Sequence, residues 1–145
     1  AGAGTHLGYR FDHLAYILEN GASEKQKDRV GICFDTCHVF ASGYDIRTSE
    51  SYEETMAEFD KIVGLDRIKC FHFNDTKHQL GERKDRHEHI GRGTIGPEGF
   101  ANFVNDPRWK DHPAHLETPK KEDDEAGNEI EMDPVNLAAL RELIN

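Results

Sequence analysis

Three short apolar segments, each closing on residue types that ligate metals, alternate with stretches of helical periodicity, and this alternation limits the fold more than any other feature of the chain. Arg29 to Thr36, Arg67 to Asn74 and Pro113 to Thr118 read as buried strands, because they are brief, apolar or aromatic, and bounded by turn residues. Ahead of them, Phe11 to Asn20 carries apolar residues at Phe11, Leu14, Ala15 and Leu18, the spacing of an amphipathic helix, and Gly21 is its stop. Further helices are predicted near Ser51 to Val63, with Ser51 as the cap, near Pro97 to Asn105, with Pro97 first, and from Asp133 or Pro134 to Ile144. The predicted order is α(βα) three times over.

Such an order implies parallel strands joined by right-handed crossovers, with functional residues gathered where the strands end. A complete (β/α)8 barrel takes about 250 residues, and this chain has 145. It opens in a Gly-rich run, Ala1 to Gly4, directly ahead of a helix, as a βα loop looks when its strand is missing. The expected fold class is therefore α/β, the C-terminal portion of a TIM (β/α)8 barrel. Residues 1–145 are expected to form a single α/β unit lacking the N-terminal strands.

Charge and cysteine usage narrow the function classes. Eighteen Lys and Arg against 28 Asp and Glu give a net charge of −10, so the bare chain repels nucleic acid unless bound cations offset its field locally. Cys33, Cys37 and Cys70 form no CxxC and fit free thiols in a reducing cytoplasm. No stretch nears the roughly 20 apolar residues that cross a bilayer, and Ala1 to Thr5 has no secretion-signal pattern. A soluble, cytoplasmic protein without a membrane partner is expected.

Alternation across the strands puts Cys33 with Asp35, Cys70 with His72, and His115 with Glu117 on one face, and Phe34, Phe71, Phe73 and Leu116 on the other. Each strand thus finishes with potential metal ligands. His38, three residues after Asp35, reaches in a turn beside that carboxylate yet is free to serve a different ion. Asp85 and His87, two apart, share a side of an extended segment, with Arg86 opposite. Oxygen and imidazole donors without thiolate suit Zn²⁺ or Mn²⁺ in an open, catalytic site. Lys77, Arg83, Lys84, Arg86 and Arg92 make Asp75 to Gly96 locally basic, and Gly91, Gly93 and Gly96 would let backbone N–H groups approach a phosphate. The acidic stretch Lys120 to Met132 reads as a solvated charged loop.

Gly31-Ile32-Cys33-Phe34-Asp35-Thr36-Cys37-His38 resembles the G-x-C-x-D-T-C-H signature of the endonuclease IV family of zinc-dependent abasic-site endonucleases, and Ala41 to Asp45 continues the likeness. His72-Phe73-Asn74-Asp75 with Lys77, Gly81, Asp85 and His87 is similar to that family's H-x-N-D-x-K-x₃-G-x₃-D-x-H motif. Gly91 to Gly96 and Leu116-Glu117-Thr118-Pro119 resemble its following loop and last strand end. The resemblance implies a TIM barrel holding three zinc ions at its C-terminal face. Asp35, His72 and Glu117 would ligate one ion, and His38, Asp85 and His87 another. The remaining family ligands, two histidines and a bridging glutamate, come from earlier strands. Phe34, Glu82 and the long Lys120 to Met132 stretch depart from the family pattern.

The activity so implied is hydrolysis of the phosphodiester 5′ to an abasic site in double-stranded DNA, a DNA-repair reaction of a metal-dependent phosphodiesterase. Glu117 is the expected catalytic residue, and Arg86 and Arg92 are the expected DNA contacts. The rival is a sugar isomerase or epimerase on a xylose-isomerase-like barrel with one or two divalent ions, which offers no use for the Asp85-Arg86-His87 set. A third reading is a metal-binding half-barrel, inactive alone, whose open sheet edges drive self-association or pairing with an N-terminal half.

Overall fold

The computed structural model describes residues 6–145. The Gly-rich run Ala1 to Gly4 lies outside them. Its elements, in chain order, are α1 (Phe11–Asn20), β1 (Ile32–Asp35), α2 (Thr36–Ala41), α3 (Ser49–Ile62), β2 (Ile68–His72), β3 (Asp75–Thr76), β4 (His87–Glu88), α4 (Gly96–Val104), β5 (Ala114–His115), β6 (Lys121–Asp123), β7 (Glu129–Glu131) and α5 (Met132–Glu142). Strands β1, β2 and β5 form a parallel sheet in that order, the arrangement the βα alternation predicts for part of a TIM barrel. β3–β4 and β6–β7 are separate antiparallel hairpins.

Register puts Cys33 opposite Cys70, Phe34 opposite Phe71 and Asp35 opposite His72, and His72 in turn opposite His115. One rung of the sheet therefore carries acidic and imidazole groups, and the next carries aromatic side chains pointing the other way. Phe34 and Phe71 are buried under the helices while Cys33 is exposed, which is the facial division the sequence predicts. The core is aromatic. Phe103 of α4 lies 5.8 Å from Phe34, 4.8 Å from Tyr52, 5.7 Å from Phe71 and 5.6 Å from Phe73 between ring centroids, so one side chain joins α3, α4 and two strands. The polar tips at the core margin are satisfied: Trp109 Nε1 donates to Tyr52 Oη at 2.7 Å, and Tyr52 donates to Asp106 at 2.8 Å.

Several local expectations shift. Thr48, not Ser51, caps α3: Thr48 Oγ1 accepts from the Ser51 N–H, and Ser51 Oγ accepts from the Thr48 N–H, both at 3.2 Å, a reciprocal box that draws the helix start forward to Ser49. α4 begins at Gly96, so Pro97 is its second residue. The third strand stops at His115, because the Glu117 N–H donates to the Asn74 side chain instead of to a sheet carbonyl. The residues after Asp35 form the short helix α2 where a turn was expected, and Lys120 to Met132 contains the β6–β7 hairpin.

Replacing Phe103 with Ala removes the ring common to four aromatic neighbours, and is expected to cost about 3–5 kcal/mol of stability, read from the shift of the urea unfolding midpoint.

Candidate metal centre

Asp35 ends β1 and is also the N-cap of α2, where its Oδ1 accepts the His38 N–H at 3.0 Å. That cap fixes the carboxylate and, through the first turn of α2, swings the His38 ring onto the same rim. The second Asp35 oxygen accepts from Asn74 Nδ2 at 3.0 Å and stands 3.5 Å from His72 Nδ1. His72 Nδ1 is 3.1 Å from Glu117 Oε2. Donor atoms of Asp35, His72 and Glu117 thus lie within 4.8 Å of one another. Asp35 is buried and the Glu117 side chain is 49% exposed, so the group has a closed floor and an open top.

A second group adjoins it. His38 Nε2 is 3.1 Å from Asp85 Oδ2, and His87 Nε2 is 3.2 Å from Asp85 Oδ1, so one carboxylate faces both rings with separate oxygens. His87 sits on β4, which pairs with β3 just beyond the end of β2 and so returns the chain to the rim. Its Nδ1 is 3.0 Å from the Glu117 carbonyl. An Nδ1–H donated there leaves Nε2 with its lone pair facing Asp85, the tautomer of a histidine that binds metal through Nε2. His38 Nε2 and His87 Nε2 are both buried without a hydrogen-bond partner. Buried polar atoms are normally partnered; two bare imidazole nitrogens aimed at one carboxylate fit a divalent cation, and the mixed N and O donors fit zinc.

The structure brings together all six residues the sequence singled out as ligands, and joins the two groups more closely than the spacing suggested. A donor atom of Asp35 also lies within 4.8 Å of those of His38 and His87, and the Cys37 sulfur stands as near to Asp85 and His87. Cys37 was not foreseen. Its side chain is fully buried, and that burial pushes the thiol up to about 11, so it is a neutral S–H at neutral pH.

Sequence reasoning also missed what holds the ligands. Asn74 donates to Asp35, accepts from the Glu117 N–H at 2.8 Å, and bonds Thr36 Oγ1 through its backbone N–H at 2.9 Å and its carbonyl at 2.7 Å. Asp75 accepts from the backbone N–H groups of Thr76, Gly93, Ile95 and Gly96, at 2.8, 3.0, 2.9 and 3.2 Å. Burial raises the Asp75 carboxyl above its usual range, while these donors act the other way and favour the ionised form. The Gly93 and Gly96 N–H groups are therefore taken up by Asp75, correcting the expectation that they meet a phosphate. A Cβ on Gly93 would lie 2.4 Å from Asp75 Oδ1, so that position admits only glycine. Donors 18 to 21 residues further along the chain leave no local sequence signal for this role of Asp75.

The cations of the basic loop are partly compensated, two by carboxylates of the loop itself and one by the neighbouring hairpin. Lys77 stands 3.5 Å from Glu88, and Lys84 3.4 Å from Glu82. Arg83, with φ of 59°, lies over the Tyr9 ring at 5.5 Å. Arg92 pairs with Glu122 of β6 at 2.7 Å, whereas the exposed Arg86 donates to the Asp85 carbonyl at 2.7 Å. The loop docks onto α2 through Gly81 N–H to the Phe40 carbonyl at 3.1 Å and Arg83 N–H to the Ala41 carbonyl at 3.0 Å. Gly81 and Gly43, both at positive φ, meet there so closely that a Cβ on Gly81 would lie 3.7 Å from the Gly43 Cα.

A parallel βα unit with His and carboxylate clusters along the C-terminal ends of its strands is the arrangement of a TIM-barrel rim, and here that rim carries candidate metal-binding groups. Comparison with known proteins carries this further. A family described as the xylose isomerase-like TIM barrel matches residues 1–139. The chain is 54% identical over 144 residues to a probable endonuclease 4 of Chloroflexus aurantiacus, and 51% identical over 144 residues to one of Geotalea daltonii. It superposes on the crystal structure of endonuclease IV from Thermus thermophilus with a TM-score of 0.75 at 34% identity, covering 97% of this chain and 46% of that one. Each curated match covers 99% of the chain and 47% of the relative, so the chain spans about half the length of these relatives. The chain belongs to this TIM-barrel family and, within it, to the endonuclease IV group.

With a thiol pKa of about 11, on the order of one in a thousand Cys37 side chains is ionised at pH 8. Iodoacetamide is expected to leave Cys37 unmodified in the folded chain at pH 8 and to label it at the same pH in urea, as read by peptide mass spectrometry.

Proposed function

We propose that this chain supplies two zinc-ligand sets to a DNA-repair endonuclease that hydrolyses the phosphodiester 5′ to abasic sites. The observation that carries the reading is the pair of buried nitrogens, His38 Nε2 and His87 Nε2, which make no hydrogen bond and converge on the two oxygens of Asp85 beside the Asp35, His72 and Glu117 group. Asp35, His72 and Glu117 would hold one ion and His38, Asp85 and His87 another. Zinc held there supplies Lewis-acid stabilisation of a phosphodiester and lowers the pKa of a water toward about 7.

The side chains have separable tasks. Glu117, the half-exposed member of its group, accepts a proton and orients a water at the open top of the site. Asp35 is locked by the His38 N–H and Asn74, so its carboxylate holds position without reorganising. Arg86 is exposed beside Asp85 and contacts a phosphate of the bound strand, while Arg92 reaches one on release from Glu122. Cations in both ligand sets offset the −10 charge where the substrate lies.

The relatives named as endonucleases and the additional set at Asp85 and His87 favour this reading over a sugar isomerase, which has no use for that set. Three parallel strands do not close a barrel, and the outer edges of β1 and β5 are open to pairing among the described residues. We therefore expect residues 1–145 to act as one α/β unit that self-associates, or associates with the rest of a barrel, and to have little nuclease activity alone.

Metal analysis after dialysis against zinc should find up to two ions per chain, with His38→Ala losing one; equal zinc content in both proteins would sink the assignment. On a duplex with a single abasic site, the purified chain should cleave poorly, and addition of the complementary half of a relative such as the Chloroflexus protein should raise the rate. Full activity of the chain by itself would overturn the half-site account.

A further inference from the structure

The acidic extension after Glu117 and the helix that follows it have no part in the ligand sets, yet one side chain of α5 reaches the loops that carry both. Asn136 is buried, with 1% of its surface exposed. Its Oδ1 accepts the Ile90 N–H at 2.9 Å, three residues beyond His87. Its Nδ2 faces three acceptors: Thr118 Oγ1 at 3.0 Å, the Met132 carbonyl at 2.9 Å, and His89 Nδ1 at 3.1 Å. Thr118 follows Glu117 directly. The oxygen that accepts from Ile90 fixes the amide orientation, so the NH₂ group is the donor and its two protons are shared among the three acceptors. His89 Nε2 lies on the side of Glu122, 3.8 Å away, whose other partner is Arg92.

We propose that Asn136 is a positioning residue that sets the separation of the two ion-binding groups, by tying the loop of His87 to the loop of Glu117. This inference rests on the ion-binding reading above. The His87 Nδ1 contact with the Glu117 carbonyl already joins these loops at the ligands themselves, but a single contact leaves their relative orientation to the residues behind it. Asn136 fixes them from below, with a planar amide whose atoms bond Ile90 and His89 on one loop and Thr118 on the other. The β6–β7 hairpin holds α5 in place for this: the Met132 N–H donates to the Lys120 carbonyl at 2.8 Å, and Lys120 pairs with Asp133 at 2.9 Å. The long insertion is thus a strut behind the metal rim. Groups hydrogen-bonded directly to a metal ligand change metal affinity by about 10- to 100-fold when removed; Asn136 bonds the neighbours of His87 and Glu117, so its removal acts at the lower end of that range.

The test titrates the 145-residue chain with Co²⁺ and with Zn²⁺, reading affinity and the visible Co²⁺ absorption spectrum, in the unmodified protein, Asn136→Leu and Thr118→Val. Asn136→Leu keeps the branched outline, with somewhat more volume, and loses the amide; Thr118→Val keeps the shape and loses one hydroxyl. The expected result is a loss of affinity of about 10-fold in Asn136→Leu, a smaller loss in Thr118→Val, and an altered Co²⁺ spectrum in both. A lower melting temperature of the metal-free chain with unchanged affinity and spectrum makes Asn136 a purely structural residue and overturns the proposal. If Asn136→Leu fails to fold, Thr118→Val decides on the same criteria. Absence of ion binding by the unmodified chain instead overturns the ion-binding reading, and this inference with it.

Discussion

The carboxamide of Asn74 is where sheet, helix and site meet. Its nitrogen holds a buried carboxylate, its oxygen takes the N–H that would otherwise prolong the third strand, and its backbone clasps the hydroxyl of Thr36. A buried Asp is costly unless its oxygens are bonded. At Asp35 both oxygens are, one by the helix it caps and one by Asn74. The rim of acidic and imidazole groups exists because the groups immediately behind it satisfy the charge it buries. Asp75 repeats the device one residue later with backbone donors, and thereby shapes the loop that returns past His87.

Much of this was legible in the sequence because it rests on short-range periodicity. Alternation across Ile32 to Asp35 and Ile68 to His72 separates Phe34 and Phe71 from Asp35 and His72 without knowledge of any partner strand. The six ligand-type residues were visible because donor chemistry is written in residue type. The start of α3 was harder, since Thr48 and Ser51 are both good caps and only the pairing of their side chains with each other's backbone N–H decides between them. What Asn74, Cys37 and Asn136 touch depends on neighbours 39, 50 and 46 positions away or more local contacts enclosed by them, as between Asn74 and Asp35 or between Asn136 and Ile90, and no local pattern encodes that.

The net charge gave a misleading picture of the site because it averages over the chain. The Asp75 to Gly96 loop is basic in composition, yet several of its cations face carboxylates at short range, and Arg92 is bound to the acidic hairpin. Such exposed pairs are worth little in stability. Their effect is on direction: they orient Lys and Arg side chains along the rim and leave Arg86 as the cation standing beside Asp85.

The near contact of Gly43 with Gly81 has a consequence for how proteins of this shape can diverge. Two backbones that close, each at positive φ, act as a pin through the segment between Lys77 and Asp85. An added or deleted residue in that segment would shift Asp85 relative to the two imidazoles it faces, because the loop is held on α2 at Gly81 and Arg83. The tip of the β6–β7 hairpin, around Gly127, has open space about it and carries no such restraint. Extra residues at that tip would meet no neighbouring side chain, whereas extra residues in the pinned segment would displace a carboxylate of the rim.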